Sequence, residues 1–526
     1  MGTFINPNGD NGFIRLLKKR KSGLFVDKTD FIRITNSVLD EDGMLLAMTR
    51  PRRFGKSVMA GMLSAYYSKG YEGREIFSGL KISLKEKTDG KGAETDVKSS
   101  AANAEYEPDD SYKENLNKFD VIYIDMNHIR MLYTTFLDDN EPVAGVTSLV
   151  KYLEYAIIEE LKSEERFSEI LAQGRIKNTG IGKALGLLYE KLRAKFVFIM
   201  DEWDLIYRDY RDDLELQKQF LDLLRGLFKS EQSLQNFSLV YLTGILPIKK
   251  ENSESALNNF DDYNMLIPGK YEEYFGFTDK EVQTLVKSSE CGLSYQELKD
   301  WYDGYKLNGK EVYNPNSVIK AIRYEMCANY WSGASANRDA SHLINLNYEG
   351  LKEDLILLLD GEQIKFNCAS FQNDMKSFKS KDDVLALLVC LGYLGCVKAD
   401  KGAEDNKEKN LNANANVKTV NSGVRIAYVP NLEIREALTN LINQENWFRI
   451  NEIIRPSEEL FDAICALNGQ KTAEMIGKIH NSPNISLLGY NSEEALVYCV
   501  ISALIWKTHG LYQIRREEQE EKDARI

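Results

Sequence analysis

The residue pattern with the clearest chemical meaning is Gly55-Lys56-Ser57, which follows an apolar run (44–48) and a basic turn. The run is typical of a buried strand, and apolar residues after Ser57 recur at helical spacing. In such a loop, backbone N–H groups at a helix start face an anion, the lysine reaches the β- and γ-phosphates, and the hydroxyl holds Mg²⁺. The standard pattern has a glycine where this chain has Arg50, and five other Gly–Lys pairs occur. A basic turn before an ordinary helix is therefore the alternative, although only this pair is followed by serine.

A second candidate group ends a strongly apolar stretch at positions 195–204. Five consecutive apolar residues before Asp201 indicate a strand buried on both faces, and open parallel sheets bind ligands at the carboxyl ends of their strands. Asp201 can hold the Mg²⁺ shell there, and Glu202 can orient and deprotonate an attacking water. The alternative is a strand end that carries solvated acids.

Thr243 lies near the end of another apolar stretch, Phe237 to Gly244, which predicts a buried strand. A hydroxyl at this place can contact the γ-phosphate or its water, so Thr243 is a candidate nucleotide sensor. Turn chemistry before Gly244 is the simpler explanation from this residue alone.

These residues need a scaffold, and the chain alternates strand patterns with helix patterns. Helical periodicity covers 146–162, 181–192 and 214–229, between strand candidates at 119–125, 195–204 and 237–244. This alternation predicts a parallel α/β sheet flanked by helices. Nearer the N-terminus, residues 25–32 are typical of a short strand and a helix start capped by Thr29 or Asp30, placed over the nucleotide base.

The composition is that of an ordinary globular protein. The 526 residues are 43% hydrophobic and 28% charged, and the formal net charge of −13 argues against nucleic-acid binding over the whole surface. Seven cysteines without a Cys-x-x-Cys pair and four scattered histidines predict reduced thiols and no zinc site. Since neither a signal peptide nor a membrane-spanning apolar run is visible, we expect a cytoplasmic protein without membrane contact.

Together these motifs resemble the AAA-ATPase-like family of bacterial proteins, in which a P-loop ATPase module precedes a PD-(D/E)XK nuclease-type domain. The resemblance covers the chain from about residue 12 to 335. It depends on eight stretches in chain order: Val26-Asp-Lys-Thr-Asp30, Arg50-Pro-Arg-Arg-Phe-Gly-Lys-Ser57, Phe198-Ile-Met-Asp-Glu-Trp-Asp204, Thr243-Gly-Ile-Leu-Pro-Ile-Lys249, Ser255-Ala-Leu-Asn-Asn-Phe260, Tyr274-Phe-Gly-Phe-Thr278, Trp301-Tyr-Asp-Gly-Tyr305 and Tyr313-Asn-Pro-Asn-Ser317.

The resemblance implies ATP and Mg²⁺ as ligands. The family commonly replaces the first P-loop glycine, so Arg50 does not count against nucleotide binding. Predicted nucleotide contacts are Arg53, Phe54, Gly55, Lys56, Ser57 and Val58. The predicted Mg²⁺ ligands are Ser57 and Asp201, and the predicted catalytic residues are Lys56, Glu202 and a sensor-like Thr243.

The same resemblance divides the chain into three regions. It predicts a P-loop core at 12–260, a mainly helical lid or linker at 261–380, and a C-terminal region at 381–526. Composition further predicts a flexible insertion at 85–118, which is polar and poor in branched apolar residues, and a flexible segment at 400–422, which is rich in Asn, Lys, Glu and Ala. Within 381–526 the resemblance predicts the first helix (495–506) and first strand (512–516) of a nuclease-type domain. The metal-binding carboxylates and lysine do not follow before Ile526, so we expect an incomplete α/β nuclease-like region without DNA cleavage.

Two classes of function stay open from the sequence. The first is Mg²⁺-dependent ATP hydrolysis coupled to a conformational switch. The second is a nucleotide-gated binding or scaffold protein with little turnover, or an ATPase partner of a nuclease lost from this chain by truncation. A nucleic acid or protein partner of the C-terminal region and an oligomeric state are also open.

Overall fold

The architecture comes from a computed structural model of the chain. It describes residues 2–6, 9–71, 75–86, 106–138, 143–178, 180–248, 257–331, 340, 343–344, 348–369, 371, 378–399, 423–444, 463–464 and 466–480.

The strands within these residues are β1 (Thr3–Ile5), β2 (Leu45–Thr49), β3 (Leu84–Glu86), β4 (Tyr106–Pro108), β5 (Asp120–Asp125), β6 (Phe196–Asp201), β7 (Phe237–Gly244), β8 (Asp261–Tyr263), β9 (Phe277–Thr278), β10 (Tyr305–Leu307), β11 (Lys310–Tyr313), β12 (Ile364–Asn367), β13 (Gly395–Lys398) and β14 (Val424–Tyr428).

The α-helices are α1 (Asn11–Leu17), α2 (Phe31–Asn36), α3 (Lys56–Tyr67), α4 (Met126–Asp138), α5 (Leu149–Ser163), α6 (Glu165–Gln173), α7 (Ile181–Leu192), α8 (Leu205–Asp209), α9 (Leu214–Phe228), α10 (Glu231–Leu234), α11 (Asp279–Ser289), α12 (Tyr295–Tyr302), α13 (Pro315–Tyr324), α14 (Leu351–Asp360), α15 (Lys381–Leu391), α16 (Leu432–Gln444) and α17 (Gly469–His480).

Six parallel strands form the main sheet in the spatial order β1-β5-β6-β7-β2-β8. Alternate residues of each strand pack into opposite cores: Phe198 meets the side of α5, α7 and α9, whereas Val197 and Ile199 meet the side of α3. The uninterrupted apolar run of β6 is therefore buried on both faces, as the sequence predicts. The α/β class with a P-loop-type parallel sheet flanked by helices is confirmed.

A C-terminal unit, defined here as the described residues from 274 to 444, packs beside this sheet. It contains two antiparallel three-stranded sheets, β10-β11-β9 and β12-β14-β13. Helices α11 and α12 each begin with a capping box, at Thr278 with Glu281 and at Ser294 with Glu297. The region 261–380, predicted to be mainly helical, thus also contributes β8 to the main sheet and supplies four strands to the two smaller sheets.

One local prediction differs from the structure. Asp30 precedes α2 but makes no side-chain capping bond, and its carboxylate pairs with Arg33 at 3.5 Å, while the Thr29 hydroxyl donates to Asp27 at 2.7 Å. The flexibility of the segment 85–118 stays a prediction; its described ends contain the antiparallel ribbon β3-β4 and Asp109, which pairs with Arg33 at 2.7 Å.

Several other predictions fall on parts of the chain that the structure does not describe. Residues 87–105 of the predicted insertion, the segment 400–422 and the nuclease-like stretch after residue 480 lie outside the described residues. Among the helices in the described part of the chain, none is both long and apolar enough to cross a bilayer.

Candidate functional site

The loop between β2 and α3 leads from a buried parallel strand into a helix N-terminus, the layout that phosphate-binding loops share. Gly55 precedes α3 with φ +88°, a left-handed conformation that glycine adopts without strain, so the helix begins at Lys56. The Lys56 ammonium is buried and donates a hydrogen bond to the Pro51 carbonyl at 2.9 Å. Burial lowers the pKa of Lys56, and the nearby charges of Glu202 and Asp201 oppose this effect. The buried Lys56 ammonium and the N-terminus of α3 therefore lie together at the end of this loop.

Arg50 stands where the standard pattern has its first glycine, and its side chain is part of the support of the loop. Its side chain is fully buried, donates to the carbonyls of Thr49 at 2.8 Å and Tyr263 at 2.9 Å, and lies 5.4 Å from the ring centre of Phe275. Burial lowers the pKa of this guanidinium to about 10. Arg50 thus ties β2 to the end of β8 and is not among the residues that line the cavity beside the loop.

The structure brings the two predicted Mg²⁺ ligands together. Asp201, at the end of β6, is buried, lies close to the Ser57 hydroxyl, and accepts the backbone N–H of Glu202 at 3.0 Å. Burial raises the pKa of Asp201 to about 7; the charge of Glu202 adds to the rise, whereas the nearby Ser57 hydroxyl opposes it. A hydroxyl and a carboxylate with hard oxygen atoms suit Mg²⁺.

Glu202 reaches the same cavity from a left-handed turn with φ +56°. Its carboxylate accepts a hydrogen bond from the Arg208 guanidinium, which also binds Asp204 with a 2.8 Å N–O distance. Asp204 in turn accepts the backbone N–H groups of Ile245 at 3.2 Å and Leu246 at 2.9 Å. A buried ion-pair chain therefore connects the predicted base to the segment that follows β7.

Sequence reasoning missed Arg208. The sequence feature that could have identified Arg208 is its spacing, four residues after Asp204 and six after Glu202, on the short helix α8.

Thr243 lies near the site but does not line its cavity. It is opposite Met48 on β2 and Asp201 on β6 in the sheet register. The hydroxyl is fully buried and donates to the Met48 carbonyl at 2.8 Å. In this arrangement Thr243 holds the P-loop strand to β7, and a sensor role would require that bond to break.

A cavity of about 570 Å³ extends from the P-loop, a size in the usual range for small-molecule sites. All six predicted nucleotide-contact residues, from Arg53 to Val58, line it. The N-terminal segment forms one wall of the cavity, and four of its six lining residues are apolar, so the placement of 25–32 over a base stays a prediction that this wall suits. Its lining residues are Phe13, Leu16, Lys19, Phe25, Val26 and Lys28.

The opposite wall comes from the C-terminal unit and was not predicted as part of the site. Its lining residues are Tyr274, Gly276, Phe277, Pro315, Asn316, Ile319 and Trp331. The sequence motifs already contained most of these residues: three belong to the motif 274–278 and two to the motif 313–317. The aromatic stretch 301–305 does not line the cavity, and its Tyr302 and Tyr305 side chains are buried.

Three backbone carbonyls link this wall to the P-loop. Gly276 donates its N–H to the Phe54 carbonyl at 3.2 Å, the Asn314 amide donates to the Arg52 carbonyl at 3.4 Å, and Arg53 donates to the carbonyl of Tyr330. The loop is therefore held by the C-terminal unit as well as by its own sheet.

Comparison with known proteins agrees with the first half of this structure. Residues 11–253 match the AAA-ATPase-like family, described as predicted AAA-ATPase, which confirms that resemblance for this part of the chain. The match does not include the nuclease-type region. The chain is also similar to an uncharacterized protein from the 5′ region of vnfD in Azotobacter chroococcum mcd 1, with 26% identity over 188 residues, or 36% of each chain. No solved structure matches the chain.

Proposed function

Since residues 11–253 match the AAA-ATPase-like family, we propose that this chain binds ATP with Mg²⁺ and hydrolyses the ATP to switch its own conformation. The observation that carries this proposal is the meeting of P-loop residues Lys56 and Ser57 with Asp201 and Glu202 at one end of the cavity.

Five cysteines in the described residues are free, which favours a reducing, cytoplasmic compartment.

Each residue has a role that follows from its position. The N–H groups at the start of α3 and the Lys56 ammonium bind the β- and γ-phosphates. Ser57 and Asp201 would hold Mg²⁺, which would neutralise charge on the phosphates. Glu202 orients a water for attack on the γ-phosphorus and accepts its proton as the bond to ADP breaks.

The ion pair between Glu202 and Arg208 favours a second candidate function. A carboxylate bound to a buried guanidinium is not free to accept a proton from water. The chain would then bind ATP and turn it over slowly until Glu202 is released, as in a nucleotide-gated binding or scaffold protein.

The experiment that tests nucleotide binding is thermal unfolding with and without ATP and Mg²⁺. A ligand present at 100 times its Kd stabilises the folded state by about 2.7 kcal/mol, so we expect a clear rise in Tm for the wild type. Lys56→Ala removes the buried cation of the loop and should abolish this rise. Lys218→Ala, on the exposed face of α9, is the control and should keep it. A full shift in Lys56→Ala would contradict the assignment.

A partner outside residues 11–253 is part of the same proposal. A nucleic acid or a protein bound to the C-terminal region, or self-association, would release Glu202 and raise hydrolysis. Measuring ATP hydrolysis alone, with DNA and with RNA, at several protein concentrations, distinguishes these triggers. An unchanged rate under every condition would contradict triggering by nucleic acid or by self-association.

A further inference from the structure

Two hydrogen-bond donors, on residues that line the cavity, have no hydrogen-bond partner among the described residues. The Asn316 amide nitrogen and the Trp331 indole nitrogen are both buried, and both residues belong to the wall contributed by the C-terminal unit. We propose that Asn316 and Trp331 bind the terminal phosphate of the nucleotide, so that the C-terminal unit distinguishes ATP from ADP. This inference depends on the proposed ATP site.

The chemistry of the two groups restricts what they can bind. An indole N–H is only a donor, and the amide nitrogen of asparagine is also a donor. Leaving such groups buried without an acceptor costs about 1–3 kcal/mol each, so a ligand rich in acceptor oxygens would relieve both. Asn316 lies in the first turn of α13, but its backbone N–H and that of Ser317 already bond to the Asn314 side chain. The side-chain donors, rather than those two backbone groups, are thus available to a ligand.

Their neighbours place both residues at the phosphate end of the cavity. A methyl group added at Gly392 would lie 2.7 Å from both the Pro51 side chain and the Trp331 ring, so Pro51 and Trp331 are neighbours. The carbonyl of Pro51 holds the Lys56 ammonium at 2.9 Å. The indole therefore lies beside the residue that positions the phosphate-binding lysine.

Asn316 is at the same end, because Asn314 at the start of its helix donates to the Arg52 carbonyl. The base-binding wall of the N-terminal segment, by contrast, is mostly apolar.

Trp331 is held firmly enough to act as a specific contact. The buried carboxylate of Glu433 accepts the backbone N–H groups of Tyr330 at 2.7 Å and Trp331 at 2.8 Å. The indole packs edge-on against Tyr393 with ring centres 6.3 Å apart. Since Arg53 of the P-loop also donates to the Tyr330 carbonyl, the segment is fixed between the P-loop and α16.

The test compares binding of ADP with binding of the non-hydrolysable analogue AMP-PNP, each with Mg²⁺, by isothermal titration calorimetry. Trp331→Phe removes the N–H and keeps an aromatic ring, and Asn316→Leu removes the amide at similar volume. Because a hydrogen bond to a charged group is worth about 1.5–3 kcal/mol, each variant should bind AMP-PNP at least about tenfold more weakly. ADP affinity should change less than about twofold if neither donor contacts the α- and β-phosphates.

Trp301→Phe is the matched control, since Trp301 belongs to the same unit but does not line the cavity. It should leave both affinities unchanged. Folded variants that bind both nucleotides as the wild type does, or that lose affinity for both equally, would overturn the terminal-phosphate contact while leaving the ATP site intact. A wild type that binds neither nucleotide would overturn the proposed function and this inference together.

Discussion

Glu202 has two candidate roles that compete for one carboxylate. As a base it must face a water beside the γ-phosphate, whereas in this structure it pairs with Arg208, whose side chain is only 3% exposed. Arg208 also neutralises Asp204, which is fully buried and bonds to two backbone N–H groups after β7. Arg208 therefore stabilises the buried Asp204 as well as binding Glu202. Releasing Glu202 need not break the pair between Arg208 and Asp204.

Glu202→Gln separates an ATPase from a slow nucleotide switch. The amide keeps the size of the side chain but cannot accept a proton, so we expect ATP binding to persist and hydrolysis to fall by about 10²-fold or more. Single-turnover hydrolysis and the ATP-dependent rise in Tm measure the two properties. Glu215→Gln, on the exposed first turn of α9, should change neither. A wild type already as slow as Glu202→Gln would favour the switch.

Arg208→Lys tests whether the ion pair restrains Glu202. Lysine keeps the charge but lacks the planar fork that binds two carboxylates at once. We expect it to remain with buried Asp204 and to free Glu202, so that basal hydrolysis increases severalfold. Arg225→Lys, at a half-buried pair with Asp222 on α9, is the control. An unchanged rate in a folded Arg208→Lys protein would show that the pair does not limit hydrolysis.

At the level of elements, the sequence pattern predicted four of the six strands of the main sheet because β2, β5, β6 and β7 are apolar runs that are buried almost without interruption. The three-residue strands β1 and β8 were not predicted, since neither forms a long apolar run and β8 is partly exposed. The bounds of α7 and β7 coincide with the predicted ranges 181–192 and 237–244. The predicted contacts at Lys56, Ser57 and Asp201 also meet, since the parallel strands β2 and β6, with β7 between them, end at the same edge of the sheet.

The wall contributed by the C-terminal unit could not be predicted in this way. Asn314 lies 262 positions after Arg52, and no local pattern shows which distant loop will pack on the P-loop. The predicted helix cap at Thr29 or Asp30 was also wrong, here because of contacts between residues that are close in the sequence. Asp27, two residues earlier, takes the Thr29 backbone N–H and its hydroxyl proton, a competition between polar neighbours that residue preference alone does not resolve.

The junction between α16 and the Tyr330–Trp331 segment should make stability depend on pH. Burial raises the pKa of Glu433 to about 7, and its hydrogen bonds from the backbone N–H groups of Tyr330 and Trp331 oppose that rise. Between the ordinary value of 4.5 and about 7, the folded protein keeps a proton that the unfolded chain has lost. The free energy of unfolding therefore falls as pH rises through this window, by up to about 3 kcal/mol for this group.

Glu433→Gln keeps an oxygen acceptor for the two N–H groups and removes the titration. Urea unfolding at pH 5, 6, 7 and 8 should show a shallower pH slope for this variant than for the wild type. Burial also raises the pKa of Asp201 to about 7 and that of Asp303 to about 6, so part of the slope will persist. Glu353→Gln, exposed on α14, should keep the full slope. An identical slope in Glu433→Gln would contradict the role of this carboxyl group.

At the scale of the whole molecule, the P-loop lies between two structural units. On one side it joins β2 to α3 of the parallel sheet; on the other, Arg52, Arg53 and Phe54 bond to Asn314, Tyr330 and Gly276. One apolar core also extends from β1 to α16 without interruption among the described residues. A change in the loop on nucleotide binding should therefore reach the C-terminal unit directly.

Gly392 and Gly361 provide a matched test of this connection. Each ends a helix of the C-terminal unit, α15 and α14, in the left-handed conformation, with φ +90° and +95°. Alanine at either position costs about 1 kcal/mol of stability through backbone strain. At Gly392 the new methyl group would also lie 2.7 Å from Pro51 and from Trp331, whereas at Gly361 the nearest atom is 3.6 Å away.

We expect Gly392→Ala to lose more stability than Gly361→Ala and, unlike it, to weaken nucleotide binding. The added methyl group can be accommodated only if the turn after α15 moves away from the P-loop or pushes Pro51 toward the cavity. Urea unfolding and the ATP-dependent rise in Tm measure the two effects on the same protein samples. If Gly392→Ala is folded and shows the same ATP-dependent rise as Gly361→Ala, the P-loop is insensitive to the C-terminal unit, and nucleotide signals must leave the site by another route, such as the Glu202–Arg208–Asp204 chain.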